Sequence, residues 1–313
     1  MTRSDRTAWR SALDRRSHTA GFRGLAQRLR HPIRTSYPST RALRAGRHRG
    51  EGRPSTAKTF WGQRMSIALP EEVSVSIHRY GFVDYDLTAF LLSHVRPGST
   101  VVDVGAHIGY YTMLASALVG PAGKVWSFEP TPSTLSVLRR NVDRLPNASV
   151  VPAAVWSKRE ELVFHDHGLG YSAYNSAFRA RLPDAVRERV PSVPFTVDAV
   201  SLDEHVRAEG IDVDFVKIDA ESAEAHVLEG MRDLLARRRP VISLEVGDLD
   251  VPGAPSSREL VDTLMTAGYE PWELRRGTPV PHRPRTHYVY QNLLFAPAGQ
   301  WHADDTRRPD HHA

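Results

Sequence analysis

The 313-residue chain contains no cysteine. This excludes a disulfide framework, thiolate metal sites and a cysteine nucleophile, and it fits a reducing compartment, so a cytoplasmic protein is expected. No run of about 18 or more apolar residues occurs either, which leaves no segment able to cross a bilayer as a helix. Arg15-Arg16 superficially resemble a twin-arginine signal, but no apolar stretch or small-residue cleavage site follows them, and no signal peptide is expected. Acidic residues are scarce in one region only. Residues 1–58 hold 15 Lys or Arg against 3 Asp or Glu, a balance of +12. The other 255 hold 26 against 33, which is −7, so the overall charge of +5 belongs to the N-terminal arm and not to the body.

These shifts divide the chain. Residues 1–59 lack sustained apolar periodicity and are expected to form a basic, disordered leader, dispensable for ligand binding, with at most a helical turn or two from Ala20 to Leu29. Such an arm could also bind nucleic acid or anionic lipid, although nucleic acid is not the expected partner. Residues 60–99 form an N-terminal approach segment in which Val73, Val75 and Ile77 alternate as in a short strand. Asp86 to Val95 carry helical spacing that ends at Pro97-Gly98. Residues 299–313 form a polar, histidine-rich tail. His311 and His312 lie at a terminus that cannot preorganise metal ligands.

Residues 100–298 alternate between apolar runs and helical patterns. The expected strands are Thr100 to Val104, Lys124 to Phe128, Ser149 to Val155 with a break at Pro152, Val213 to Ile218, Val241 to Val246, Glu270 to Leu274 and His287 to Phe295. Helices are expected at Tyr110 to Leu118, Thr134 to Leu145, Ser222 to Leu235 and Ser257 to Ala267. Alternation of this kind gives an α/β fold, a mostly parallel sheet with helices on both faces. An insertion near 157–200 falls at the carboxyl ends of the strands, where ligand crevices form. Its stretch His165-Asp166-His167, followed by Gly168 to Asn175, could hold a polyol or be an ordinary polar loop. Pro183 to Arg189 reads as a solvated helix face.

The densest signal is V-V-D-V-G-A-H-I-G-Y-Y-T at Val101 to Thr112. Asp103 ends the first strand, Gly105 lets the backbone turn and approach a ligand, and Gly109 admits the next helix close to the sheet. Three residues separate the glycines and an acid precedes them, unlike a dinucleotide-binding G-x-G-x-x-G, and a pyrophosphate would be repelled by Asp103. An aminopropyl-carboxylate tail would not be. Glu129 ends the second strand, where a carboxylate can accept hydrogen bonds from both ribose hydroxyls. Ala154, in the Pro152 to Ala154 stretch, is small enough to leave room for a flat base. Asp103, Gly105, His107, Gly109, Glu129 and Ala154 are thus the candidate cofactor-binding residues, and S-adenosyl-L-methionine is the expected cofactor.

Four motifs in order, V-D-V-G-A-H-I-G-Y-Y-T, V-W-S-F-E-P at Val125 to Pro130, F-V-K-I-D-A-E-S-A-E at Phe215 to Glu224 and Q-N-L-L-F at Gln291 to Phe295, resemble the FkbM-type methyltransferases. The resemblance covers roughly Phe82 to Pro297. It implies the class I methyltransferase fold, a Rossmann-like seven-stranded sheet whose last strand is antiparallel, and S-adenosylmethionine-dependent O-methylation of sugars or secondary metabolites. Two positions depart from the family pattern. His107 stands where Asn is usual, and Ser222 stands where Gly is usual.

Methyl transfer from a sulfonium is an in-line displacement, so alignment dominates and a base helps a hydroxyl lose its proton. Asp219 and Glu221, with Lys217 one pleat earlier, are the candidate catalytic residues. Lys217 and Asp219 should point the same way along the strand and could form an ion pair or share a substrate hydroxyl. Alternatively, Asp219 or Ser222 caps the next helix, with Glu221 and Glu224 favouring its positive end. His107 is a second candidate base, Glu245 could orient substrate or cap a helix, and Asn292 could reach the pocket or serve its ladder. Asp219, Glu221 and Glu224 also resemble a cluster for a hard cation, but Lys217 would compete and no metal site is assigned. The expected acceptor is a hydroxyl on a small molecule or glycan. An N-methyltransferase, a nicotinamide dehydrogenase, or a catalytically silent cofactor- or RNA-binding protein are the alternatives. The oligomeric state leaves no trace in the sequence.

Overall fold

The computed structural model describes residues 2–30, 52–178, 192–248 and 253–301. The chain opens with helix α1 (Arg3–Arg30), a hairpin of β1 (Arg53–Lys58) and β2 (Arg64–Leu69), and helices α2 (Glu72–Tyr80) and α3 (Tyr85–His94). There follow β3 (Thr100–Val104), α4 (Tyr110–Val119), β4 (Lys124–Phe128), α5 (Pro132–Val142) and β5 (Ala148–Val151). The insertion comprises β6 (Ala154–Val155), β7 (Glu160–Asp166), a 3-10 turn at Leu169–Tyr174 and β8 (Val193–Val200). Helix α6 (Leu202–Glu209), β9 (Phe215–Ile218), α7 (Glu224–Glu229), α8 (Arg232–Arg237) and β10 (Val241–Val246) come next. Helix α9 (Ser257–Thr266), β11 (Tyr269–Arg275), β12 (Thr278–Pro281) and β13 (Gln291–Pro297) complete it.

Eight strands form the main sheet in the order β12-β11-β13-β10-β9-β3-β4-β5. β10, β9, β3, β4 and β5 run parallel, and β13 is antiparallel to both β10 and β11. This is the class I methyltransferase sheet of seven strands, with β12 added as an antiparallel edge by the turn after Arg275. The inner strands are apolar on both faces because helices cover both. Val101 and Val125 face one core with Ile108 and Leu114, whereas Val102, Val104, Val216 and Ile218 face the other with Leu228 and Leu260. From β3 the chain winds outward through β4 and β5, then returns to β9 on the other side and winds on to β10. The crevice opens where the winding reverses, at the carboxyl ends of β3 and β9.

Several expected elements are corrected. Val73 to Ile77 is helical: the Glu71 carboxylate accepts from Val73 N (2.7 Å) and Ser74 N (2.6 Å), capping α2, and Val73 and Ile77 share a face at i, i+4 spacing. The expected disordered leader contains a 28-residue helix and a strand. In α1, Leu13 is fully buried, Trp9 lies against Trp61, and Arg6 and Arg16 donate to the carbonyls of Leu92 and Tyr80. Arginine thus serves here as an anchor to backbone oxygens, which a composition rule counts as solvation. The helix expected over Ser222 to Leu235 is two, α7 and α8, broken at Gly230-Met231. The strand expected over Ser149 to Val155 divides between two sheets, since β6 joins a separate one in the order β6-β8-β7. His287 to Tyr290 precede β13 as a loop. The calls on Pro183 to Arg189 and on His302 to Ala313 lie outside the described residues. Among the described residues no helix is long and apolar enough to cross a membrane.

Candidate active site

The first wall of the crevice is made by backbone. At the end of β3, Gly105 N and Ala106 N donate to Phe128 O (3.1 and 3.0 Å), locking the loop to β4. Gly105 has φ +72°, and a Cβ there would sit 1.8 Å from Asp219 O, so no other residue fits this crossing of two backbones. Gly109, with φ +89°, would drive a Cβ to 2.6 Å from Leu138 Cδ1 of α5, and its bare face lets α4 and α5 close up. Glu129 is buried, and burial raises its carboxyl pKa. Its oxygens accept from His107 N (3.0 Å) and Thr131 N (2.9 Å), with lone pairs left for further donors. His107 itself is left-handed, φ +52°, and its Nε2 lies 2.7 Å from Ser172 Oγ on the insertion.

The second wall is made by charged side chains. Parallel register sets Asp103 beside Lys217, so both point to the same face. Lys217 Nζ lies 3.0 Å from Asp219 Oδ2 and 3.7 Å from Asp103 Oδ1, and Thr112 Oγ1 donates to Asp103 Oδ2 at 2.7 Å. Side-chain exposure falls from 29% for Asp219 to 5% for Lys217 and 2% for Asp103. Of the three, Asp219 is therefore the member best placed to touch a ligand. Asp103 lies behind, against Lys217 and Thr112, and it does not line the crevice; Gly109 does not line it either. Burial opposes the Lys217 charge, but Asp219 and Asp103 outweigh it and raise its pKa. Burial would likewise raise Asp219, yet the Lys217 charge and hydrogen bonds from Glu245 and Lys217 hold its carboxyl below the usual range.

Glu224 is not part of this wall. Its carboxylate accepts from Ala220 N (3.0 Å) and Ser222 N (3.4 Å), tying the loop after β9. Helix α7 starts at N-cap Ala223 with no side-chain cap, so neither Asp219 nor Ser222 caps it. Glu245, at the end of β10, takes the place expected for Glu224: carboxylate oxygens of Asp219, Glu221 and Glu245 lie within 4.8 Å of one another. Burial, together with the Asp219 and Glu221 charges, raises the Glu245 pKa well above the usual value. Burial and the neighbouring negative charge both favour the neutral form of Glu245. Asn292, its register partner on β13, donates to Asp84 Oδ2 (3.0 Å) and serves the ladder. Both walls border a cleft lined also by Val73, Val83, Ala153, Ala154, Asn175 and Tyr290. Asn175 ends the polar stretch expected to border the ligand, whereas Tyr290 carries no mark in the sequence because its place at the cleft is a tertiary fact.

Residues 103–271, more than half of the chain, match the family described as the methyltransferase FkbM domain. A 31-O-demethyl-FK506 methyltransferase FkbM from Streptomyces tacrolimicus is 32% identical over 186 residues, 50% of this chain and 68% of that protein. The chain belongs to the FkbM methyltransferase family. A protein-L-isoaspartate O-methyltransferase from Methanothrix thermoacetophila is 33% identical over 81 residues, 26% of this chain, which spans 34% of that relative's length. A solved methyltransferase FkbM from Methylobacillus flagellatus KT superposes with a TM-score of 0.40 and 16% identity, over 64% of this chain and 44% of that one. As an FkbM methyltransferase the protein uses S-adenosylmethionine. The cleft suits that cofactor: the bare backbone at Gly105, the unfilled lone pairs of Glu129 and the two alanines at 153 and 154 leave room for its tail, ribose and base. In place of the usual family glycine, Ser222 adopts φ +82° beside Glu221 at +49°, so the loop keeps the left-handed shape a glycine would take.

Proposed function

We propose that this FkbM methyltransferase methylates a hydroxyl of a small molecule, a sugar or a secondary metabolite. The observation that carries the proposal is Asp219: an ionised carboxylate, held by Lys217 and Glu245, half-open to a cleft whose opposite wall is the glycine loop. Gly105, His107, Glu129 and Ala154 bind the cofactor, with Glu129 on the ribose hydroxyls, and Asp103 supports them through Lys217. When bound, S-adenosylmethionine supplies an electrophilic methyl group on sulfur. Asp219 accepts the hydrogen bond of the acceptor hydroxyl and aims an oxygen lone pair at that methyl. As the acceptor oxygen is methylated, the Asp219 carboxylate would take up the hydroxyl proton. Lys217 keeps Asp219 charged and fixed, and Glu221 lines the acceptor side. The Streptomyces relative, named for 31-O-demethyl-FK506, supports oxygen as the accepting atom.

The silent RNA-binding alternative has less support, since Arg6, Arg10 and Arg16 of the basic arm donate to backbone carbonyls of the same chain. Labelled-methyl transfer to a panel of sugars, hydroxylated natural products and amines tests the proposal. Transfer to hydroxyl acceptors supports it; transfer to amines alone, or to nothing, overturns it. Asp219→Asn should lower kcat about a hundredfold with little change in affinity for S-adenosylhomocysteine. Normal turnover by that variant would remove Asp219 from the reaction.

A further inference from the structure

The insertion crosses the cleft as a strap. At one point the Ser172 hydroxyl meets His107 of the glycine loop (2.7 Å), and four residues later the Ser176 hydroxyl donates to Glu221 O of the β9 loop (2.5 Å). Asn175 lies between these clamps. It is 8% exposed, lines the cleft, and its Oδ1 accepts from His167 N at 2.8 Å. That contact fixes the amide orientation, because a flipped group would set its NH2 against another N–H. Its Nδ2 is fully buried and has no hydrogen-bond partner among the described residues. Native structures rarely leave such a donor unmatched, so a ligand acceptor is expected opposite it.

The surroundings narrow the ligand. Along the strand ends the cleft runs from Gly105 on β3, past Glu129 on β4, to Ala153 and Ala154 beyond β5. A cofactor with its ribose on Glu129 places its base at the last of these. There Ala154 and Phe164 share an apolar cluster with Ala223 and Ala220, a flat-sided environment, and Phe164 lines the same cleft as Asn175. The edge of adenine offers ring nitrogens as acceptors and one exocyclic amine as donor. The unmatched group of Asn175 is a donor, Nδ2, while its Oδ1 already accepts from His167 N. Resting on the reading that Glu129 binds the ribose, we propose that Asn175 is a cofactor-recognition residue whose side-chain amide donates to an acceptor ring nitrogen of adenine. The insertion then reads the base as well as bordering the acceptor, and it closes over the cofactor through His107, Asn175 and Glu221.

The test is calorimetry with S-adenosylhomocysteine and with three analogues in which N1, N3 or N7 of adenine is replaced by CH. Wild-type protein should bind one analogue about tenfold more weakly than S-adenosylhomocysteine, the worth of one hydrogen bond. Asn175→Ala should bind S-adenosylhomocysteine about tenfold more weakly and show no further loss with that analogue. Asn175→Asp should be weaker still, since it sets an acceptor against an acceptor. Equal wild-type affinity for all four ligands, or losses on Asn175→Ala that add fully to that of every analogue, overturns the proposal. So does an effect confined to acceptor KM. The wild-type analogue series stands even if a variant fails to fold. Glu129→Ala separates the two readings: if it weakens S-adenosylhomocysteine while Asn175→Ala does not, only Asn175 is rejected, and if neither does, the adenosine site itself is misplaced.

Discussion

The two walls of the cleft achieve rigidity by opposite means. The β3–β4 wall is backbone against backbone: Gly105 crosses Asp219 O, two N–H groups bind Phe128 O, and Glu129 is fixed by amides at 107 and 131. The β9–β10 wall is side chain against side chain, with Asp103, Lys217, Asp219, Glu221 and Glu245 gathered around one ammonium. Backbone geometry suits a wall that binds the same donor at every turnover. Charges in a buried cluster are adjustable, and they suit the side on which we propose that the acceptor is aligned. The difference also predicts how each wall fails: the first by collision, the second by an uncompensated charge.

The largest expected effect comes from removing the one cation. Lys217→Ala would leave Asp103 buried without its counter-charge, and breaking a buried pair in this way typically costs about 3–5 kcal/mol. The variant should show a correspondingly lower urea midpoint, and Asp103→Asn added to it should restore much of the loss. A Lys217→Ala protein as stable as wild type would mean that the charged wall does not depend on its ion pairs.

Next is the arm. Deleting residues 1–30 strips Leu13 and Trp9 from a core that includes Trp61, Ile77 and Phe82, and it unpins α2 and α3, which flank Val73 and Val83 at the cleft. Losing one fully buried leucine and one partly buried tryptophan amounts to about 3 kcal/mol. Thermal melting should report the loss, with weaker cofactor binding. Unchanged melting and affinity would restore the view that the arm is dispensable.

The contrast between the walls also explains what could be read from the sequence. Backbone constraints leave local marks: glycines at 105 and 109, an acid at 129 and four motifs in order were enough for the fold and the first wall. Lys217 and Asp219 were legible as a pair because alternation along one strand sets them together. The place of Glu245 beside Asp219 depends on sheet order, and Glu224, in the first turn of α7 where an acid favours the helix, turns back to Ala220 N through the loop. Val73 to Ile77 fits two periodicities, and only the Glu71 cap decides for a helix. Asn175 is legible only as the end of a polar stretch that could hold a ligand, since burial of its amide is a tertiary fact.

A smaller effect separates the two signs of titration in the charged wall. Glu245 has a folded pKa raised far above its ordinary 4.5, so its contribution to stability is full below about that pH and is lost as pH rises through the raised value. Asp219 is the reverse: its folded pKa lies below 3.8, so its contribution is present above that and disappears as pH falls. Glu245→Gln keeps a donor towards Asp219 while removing the titration. Its urea midpoint should fall less than that of wild type as pH rises above 4.5. Parallel profiles would show that Glu245 is already ionised.

The smallest effect tests the one place where the charged wall borrows the other wall's device. Ser222 sits at φ +82°, and a left-handed non-glycine residue costs about 1–2 kcal/mol. Ser222→Gly removes that strain but gives the unfolded chain more freedom, about 0.5–1 kcal/mol in the opposite direction. The difference favours the glycine by about 0.5 kcal/mol, a small rise in melting temperature with unchanged S-adenosylhomocysteine affinity. Because Ser222 N donates to Glu224, a bond glycine retains, the loop should keep its shape. A clear destabilisation would mean that the buried serine side chain contributes more to the loop than its backbone conformation costs, and that this wall depends on side chains even at its turn.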